Sequence, residues 1–310
     1  HPMTYTLLLA IVGTLVVGIL IIVTDSMTGS EALTIISSYI TMVIALATMV
    51  WNQFNSAWNF HAAATPSGIR MSYGLTSETS RTLPPGRVHG VGLTGPILWR
   101  RKDWWKVDVT VAGRDERPHD GQTREIGNLL LPVGSRDTAL RALWLVVPDL
   151  GVPDPDRLLA QAVTGRDDDG VGDPQAPAGS AERGFVRISR RGRIFRPLTW
   201  RRAAVILTDT CVIIRHGRWR RRVAAFPYER IPSLRVRQGP LARRRSLAAL
   251  RLDMVAQEVS ASITNLDVAD VKELEARISE RALHRARAEQ LDRWLARAVA
   301  ATQPAGPSAR

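Results

Sequence analysis

PPGRVHGVGLTGPILWRR, residues 84–101, carries Gly90, Gly92 and Gly95. Their spacing matches G-x-G-x-x-G, the phosphate-binding turn of dinucleotide-binding folds. Such a turn needs a strand before it, a helix opening within it and an acid about twenty residues on. Pro96 interrupts the end of the motif, and the surrounding residues read as short strands rather than as a βαβ unit. A nucleotide is therefore not the expected ligand, and the glycines need another account.

That account starts with an internal repeat. Thr65, Gly74, Pro84 and Arg87 recur 143 residues on as Thr208, Gly217, Pro227 and Arg230. Gly95-Pro96 recurs as Gly239-Pro240 after a one-residue slip, and Arg100-Arg101 as Arg244-Arg245. Lys106-Val-Asp108-Val then matches Arg251-Leu-Asp253-Met. The shared residues have mechanical readings. Gly74 and Gly217 end strands at hairpins, where positive φ is easy for glycine. Pro84 and Pro227 stop strands, because proline cannot donate to a ladder. Arg87 and Arg230 open the next strand, with a charge-assisted bond expected of each. Pro96 and Pro240 lead through a turn to Arg100 and Arg244. At Gly90 and Gly92 the second copy has Ser233 and Arg235, so these glycines fall where the repeat imposes no residue type.

Around the repeat the chain reads as short strands closed by helices. Ser135 looks like the N-cap of one helix, and residues 267–300 form a long amphipathic one. Residues 165–181, rich in Gly, Pro and Asp, read as a solvated linker. Before the repeat lie two uncharged runs, 5–23 and 33–54, with Trp51 and Trp58 at the far end. A 19-residue helix spans about 28 Å, close to a hydrocarbon core, so a transmembrane hairpin is expected. The loop between the runs has no basic residue and arginines follow the second, which places the later domains in the cytosol.

The first copy's frame, with RVHGVGL, LWRR, WWKVDV and LLPVG in order, resembles the membrane-flanked bacterial PH domains of the YdbS/YdbT-like type. The second copy, LTDTCVIIRHGRWRRRVAAFPYERIPSLRVRQGPLARRRSLAALRLDMV, is similar to the same family. One departure is Asp103, with no glycine before Trp104-Trp105. The resemblance implies a bent antiparallel β-barrel capped by a C-terminal helix in each copy. It also implies the C-terminal part of a longer, multi-pass protein of the bacterial inner membrane. The expected fold is mixed. It comprises a transmembrane α-hairpin (1–57), a PH-like domain (58–164), a linker basic at its end (165–199), a second PH-like domain with a long helix (200–300) and a tail (301–310).

Charge points to function. The net charge is +13, and residues 184–245 hold 18 arginines against two acids, Asp209 and Glu229. Arg218, Arg220 and Arg222 alternate along a strand, while Arg201 and Arg202 precede it and Arg243, Arg244 and Arg245 follow the second Gly-Pro turn. These are the candidates for binding an anionic lipid or a membrane partner protein. Eukaryotic PH domains use a basic hairpin for phosphoinositides; only the idea of an anionic surface carries over to bacteria. No catalytic, metal or cofactor constellation stands out: the six histidines are scattered, and the single cysteine, Cys211, lies in an apolar run. The expected protein is a non-enzymatic module of envelope maintenance or defence. A nucleic-acid binder and an accessory subunit of a transporter or enzyme are the alternatives. The arginines permit the former, but no helix shows a basic reading face.

Overall fold

The computed structural model of the protein describes residues 60–65, 68–73, 79–83, 87–111, 129–254 and 259–302, with residues 13, 37, 38, 40–45 and 48. The chain divides into two compact units, residues 1–83 with 98–102, and residues 84–97 with 103–310.

In the first unit, β1 (His61–Thr65), β2 (Gly68–Tyr73) and β3 (Thr79–Leu83) form an antiparallel meander. Alternation along β2 buries Ile69 and Met71 and leaves Arg70 exposed, its Nε donating to Ser80 Oγ at 3.1 Å.

The transmembrane hairpin expected over residues 1–57 is corrected. Among the described residues no helix is long and apolar enough to cross a membrane. A span needs about twenty consecutive apolar residues in one helix; most of 1–57 lies outside the described residues. The multi-pass inner-membrane placement, and the cytosolic side derived from it, rested on that hairpin and are withdrawn with it.

In the second unit the strands are β4 (Val88–Pro96), β5 (Trp104–Val111), β6 (Leu129–Ser135), β7 (Val186–Arg187), β8 (Ala204–Leu207), β9 (Cys211–His216) and β10 (Arg220–Pro227). They form one antiparallel seven-stranded sheet in the order β6-β5-β4-β10-β9-β8-β7. A second sheet holds β11 (Ser233–Arg237), β12 (Leu247–Asp253) and β13 (Ser262–Asp267). The helices are α1 (Arg136–Val146), α2 (Pro155–Thr164), α3 (Pro240–Arg244) and α4 (Val268–Thr302).

Each repeat thus has the same element order: a three-stranded meander, a second meander, then a helix. The expectation of two separate barrels is also corrected, because β4 of the first copy pairs with β10 of the second. The glycines of the opening stretch explain why this junction closes. They sit inside β4, which is followed by a 3-10 turn (Ile97–Trp99) and not by a nucleotide-binding helix. A Cβ on Gly90 would lie 2.5 Å from the Phe226 ring, one on Gly92 2.8 Å from Val259, and one on Gly95 2.8 Å from Trp105. Side chains at Gly90 and Gly92 would force Phe226 and Val259 of the second copy away from β4, and one at Gly95 would meet Trp105 on the first copy's own β5. Opposite them β10 presents Ala224 to Gly92 and Ala225 to Val91. Neighbours therefore constrain Gly90 and Gly92, contrary to the expectation that no residue type is imposed there.

The core of the second copy lies between the inner face of β8–β10, the β11–β13 sheet and α4. Val205, Val212, Ile214 and Phe226 meet Leu250, Ile263 and Leu266, and α4 closes them with Val271, Leu274 and Ile278. Arg281 of α4 locks the closure, donating at 2.6 Å to both Thr208 O and Glu182 Oε1. Tyr228 Oη donates to the same Thr208 carbonyl at 2.9 Å. In the first copy, Ser135 caps α1 by accepting from Thr138 N at 3.3 Å.

The segment expected as a solvated linker is folded. Asp154 and Pro155 start α2, and Gly165 ends it at φ 67°. The chain then runs back on itself, with Gly172 N donating to Arg183 O at 3.0 Å and Phe185 N to Asp168 O at 3.0 Å. Val171, Ala176, Ala181 and Phe185 are buried. The three consecutive aspartates explain the ordering, because each meets a different arginine. Asp167 faces Arg157 at 3.6 Å and Asp169 faces Arg183 at 2.9 Å, while Asp168 takes both Arg187 and Arg215.

Candidate functional site

The β9–β10 hairpin carries the arginine cluster. Gly217 makes its turn possible: φ is 78°, and a Cβ there would strike the Arg220 carbonyl. Arg218 and Trp219 occupy the turn and β10 begins at Arg220. Its first three residues are arginines held in register by β4, with Arg220 opposite Pro96, Arg221 opposite Gly95 and Arg222 opposite Thr94. Strand alternation puts Arg220 and Arg222 on one face and Arg221 on the other. From Val223 onward β10 is buried. The charged end therefore projects from a strand whose other end is fixed in the core.

Arg220 and Arg222 line two contiguous grooves. The larger, about 490 Å³, is bounded by Arg196, Leu198, Thr199, His216, Gly217, Arg218, Trp219, Arg220, Arg222, Ser260 and Ser262. The smaller, about 200 Å³, shares His216, Arg220, Arg222 and Ser260 and adds Thr94, Lys106 and Asp108 from the first copy's strands. Lys106 Nζ lies 2.9 Å from Asp108 Oδ1. The larger groove has no acid among its described lining residues.

The electrostatics fit a cluster of like charges. His216 is pushed down to about 4, first by burial and then by Arg196, with Arg222 adding to the effect. It is therefore neutral near pH 7. The Arg222 guanidinium is held below its ordinary value by burial and then by Arg220, while Asp108 pulls the other way. Positive groups crowded in this way favour any anion that enters between them.

The remaining candidates are dispersed. Arg201 is exposed, its guanidinium 5.3 Å from the Trp200 ring centroid, beside a neighbouring pocket lined by Arg190, Arg193 and Ile194. Arg202 turns inward and caps α2, donating to Thr164 O at 2.7 Å and to the Ala162 and Val163 carbonyls. Arg243, Arg244 and Arg245 are exposed around α3, between β11 and β12, and line neither groove. Of the fold-defining residues, Gly74 and Pro84 lie outside the described residues. Arg87 precedes β4, Pro96 ends it and Arg100 follows in a turn. Pro227 ends β10, Arg230 ends a 3-10 turn, and Pro240 and Arg244 bound α3.

Sequence reasoning missed Arg196, His216, Ser260, Lys106 and Asp108. Arg196 stood in the basic run and was legible by proximity. Lys106 and Asp108 had no signal, because only the β4–β10 pairing brings them near the hairpin.

Among the described residues no group of three or more His, Cys, Asp or Glu could hold a metal ion. Cys211 is buried beside Thr208 and its thiol is pushed up to about 11 by burial, which suits a core residue and not a nucleophile. No curated protein and no solved structure matches the chain. Residues 184–299, which contain the hairpin, the larger groove and the helix-closed core, match the family model of the bacterial PH domain, and the chain carries such a PH-like domain.

Proposed function

We propose that the protein is a non-catalytic binding module whose groove between Arg196, Arg218, Arg220 and Arg222 takes the phosphate of an anionic lipid head group. One observation carries this reading: four arginines surround one groove of about 490 Å³ that has no acid among its described lining residues. Guanidinium groups on a rigid strand and turn offer forked donors to phosphate oxygens. Thr199, Ser260 and Ser262 add hydroxyls to the same lining. Burial of an anion among cations relieves their mutual repulsion, so binding should weaken as salt rises.

The test uses full-length protein and dihexanoyl phosphatidylglycerol below its micelle concentration, with dihexanoyl phosphatidylcholine as control. Saturable binding of dihexanoyl phosphatidylglycerol alone is expected. It should fall about tenfold or more in the Arg218→Ala/Arg220→Ala/Arg222→Ala protein, given about 1.5–3 kcal/mol for a hydrogen bond to a charged group. Equal binding of the two lipids, or an unaffected triple variant, would refute the reading.

A further inference from the structure

Large apolar side chains are exposed beside this groove. Trp219 is 65% exposed, Leu198 57%, Ile194 66% and Phe195 40%. None belongs to the core cluster of the domain. Leu198 and Trp219 line the same groove as Arg196, Arg218 and Arg220, so apolar and cationic groups interleave on one surface. Ile194 lies in the neighbouring pocket with Arg190, Arg193 and Arg201.

Both segments that carry these residues are pinned. The hairpin turn is fixed by Gly217 at φ 78°. The other segment is held to β13, because Ser189 N donates to Asn265 O at 3.1 Å and Gly192 packs against Asn265. Trp200 N, donating to Arg196 O at 3.1 Å, closes the turn that presents Leu198. The exposed side chains are therefore presented on fixed backbone.

We infer that this surface docks onto an anionic lipid bilayer, with Trp219 and Leu198 entering the boundary between head groups and acyl chains. The inference rests on the reading of the groove as an anion site and adds to it a source for the anion. A bilayer offers, in one plane, phosphates for the arginines and an apolar layer directly beneath them for the side chains between. Tryptophan favours that depth, since its ring is apolar and its N–H still reaches polar groups. The charge complementarity is one-sided, because the groove sets arginines and no acid among its described lining residues toward the partner. Binding of this kind scales with the apolar area inserted together with the attraction to anionic lipid.

The experiment uses full-length protein and vesicles of phosphatidylcholine with 30% phosphatidylglycerol. Trp219→Ser/Leu198→Ser should weaken vesicle binding about tenfold, by far more than it weakens binding of monomeric dihexanoyl phosphatidylglycerol, since both residues line the groove. In parallel, Leu198→Cys and, as a control on α4, Leu283→Cys are labelled with an environment-sensitive fluorophore. The buried Cys211 thiol is a poor competitor for the label. Quenching by brominated acyl chains is expected at position 198 and not at 283. Vesicle binding unchanged in the serine variant, or equal quenching at both positions, overturns the docking inference and leaves the groove reading intact. Wild-type protein that binds neither monomeric lipid nor vesicles overturns both.

Discussion

Arg215 Nη2 lies 2.6 Å from Asp168 Oδ2, and the arginine side chain has no exposed surface. Arg215 also donates to Arg202 O at 2.8 Å and to Gln161 O at 3.3 Å, with its guanidinium 4.3 Å from the Phe185 ring centroid. One side chain on β9 thus ties together α2, the returning segment and the sheet. The pair is asymmetric, because Asp168 keeps Arg187 if Arg215 is lost, whereas Arg215 has no other carboxylate at hand among the described residues. Removing one partner of a buried pair costs about 3–5 kcal/mol when the other is left charged and unpaired. Asp168→Ala should therefore destabilise more than Arg215→Met, which keeps most of the volume and removes the buried charge. Urea midpoints for the two variants decide this; a larger loss for Arg215→Met would reverse the assignment.

The junction between the copies makes a second prediction. Gly90→Ala places a methyl group against the Phe226 ring, and overpacking of this kind costs about 1–3 kcal/mol. Phe226→Ala alone costs about 3–5 kcal/mol. If the contact is direct, the double variant is less destabilised than the two single effects combined, by about 0.5–3 kcal/mol. Simple additivity in denaturant unfolding would mean that Gly90 is required for some other reason.

Asp108 acts as an internal counter-ion at the edge of the groove, 2.9 Å from Lys106 and felt by Arg222. An incoming phosphate has to compete with it. Asp108→Asn should raise affinity for dihexanoyl phosphatidylglycerol several-fold, up to about tenfold, with the gain shrinking as salt is added. Titration calorimetry at low and high salt measures both; a loss of affinity would show that Asp108 orients the site instead.

His216 supplies the pH dependence. Its folded value, about 4, lies below the ordinary 6.5. The unfolded chain therefore takes up a proton first as pH falls. Stability from neutral His216 is fully present above about 6.5 and is lost progressively between there and about 4, with a slope of at most about 1.4 kcal/mol per pH unit. A bound phosphate would favour the charged ring, so lipid binding should strengthen as pH falls through the same window. His216→Gln should flatten both profiles, which thermal unfolding and binding titrations between pH 4.5 and 7.5 can follow.

The repeat was legible because it is written in residues with local mechanical roles. Gly217 at a positive φ and Pro240 at a helix start act through their own backbone, so their meaning survives without knowing the fold. The cap at Ser135 is local in the same sense. The arginine-rich hairpin was legible in part: alternation of Arg220 and Arg222 along β10 follows from strand geometry, but Arg218, expected on the same strand, lies in the turn before it. Hydropathy misled at the N-terminus: two uncharged runs meet a length criterion, yet no described helix meets the structural one. Composition misled at residues 165–181, where Gly, Pro and Asp suggested solvent but acids distributed among arginines made an ordered cover.

By itself the sequence determined the duplicated order of strands and helix, the turn positions and the concentration of arginine in the second copy. These depend on contacts between near neighbours along the chain. Only the tertiary structure decided which arginines remain at a surface. Arg202 and Arg215 point inward to carbonyls and Asp168, whereas Arg220 and Arg222 line a groove. It alone also decided that β4 joins β10, bringing Lys106 and Asp108 to the hairpin. Strand pairing between distant segments is selected by which side chains fit across the ladder. Here that selection falls to Gly90 and Gly92, whose missing side chains make room for Phe226 and Val259.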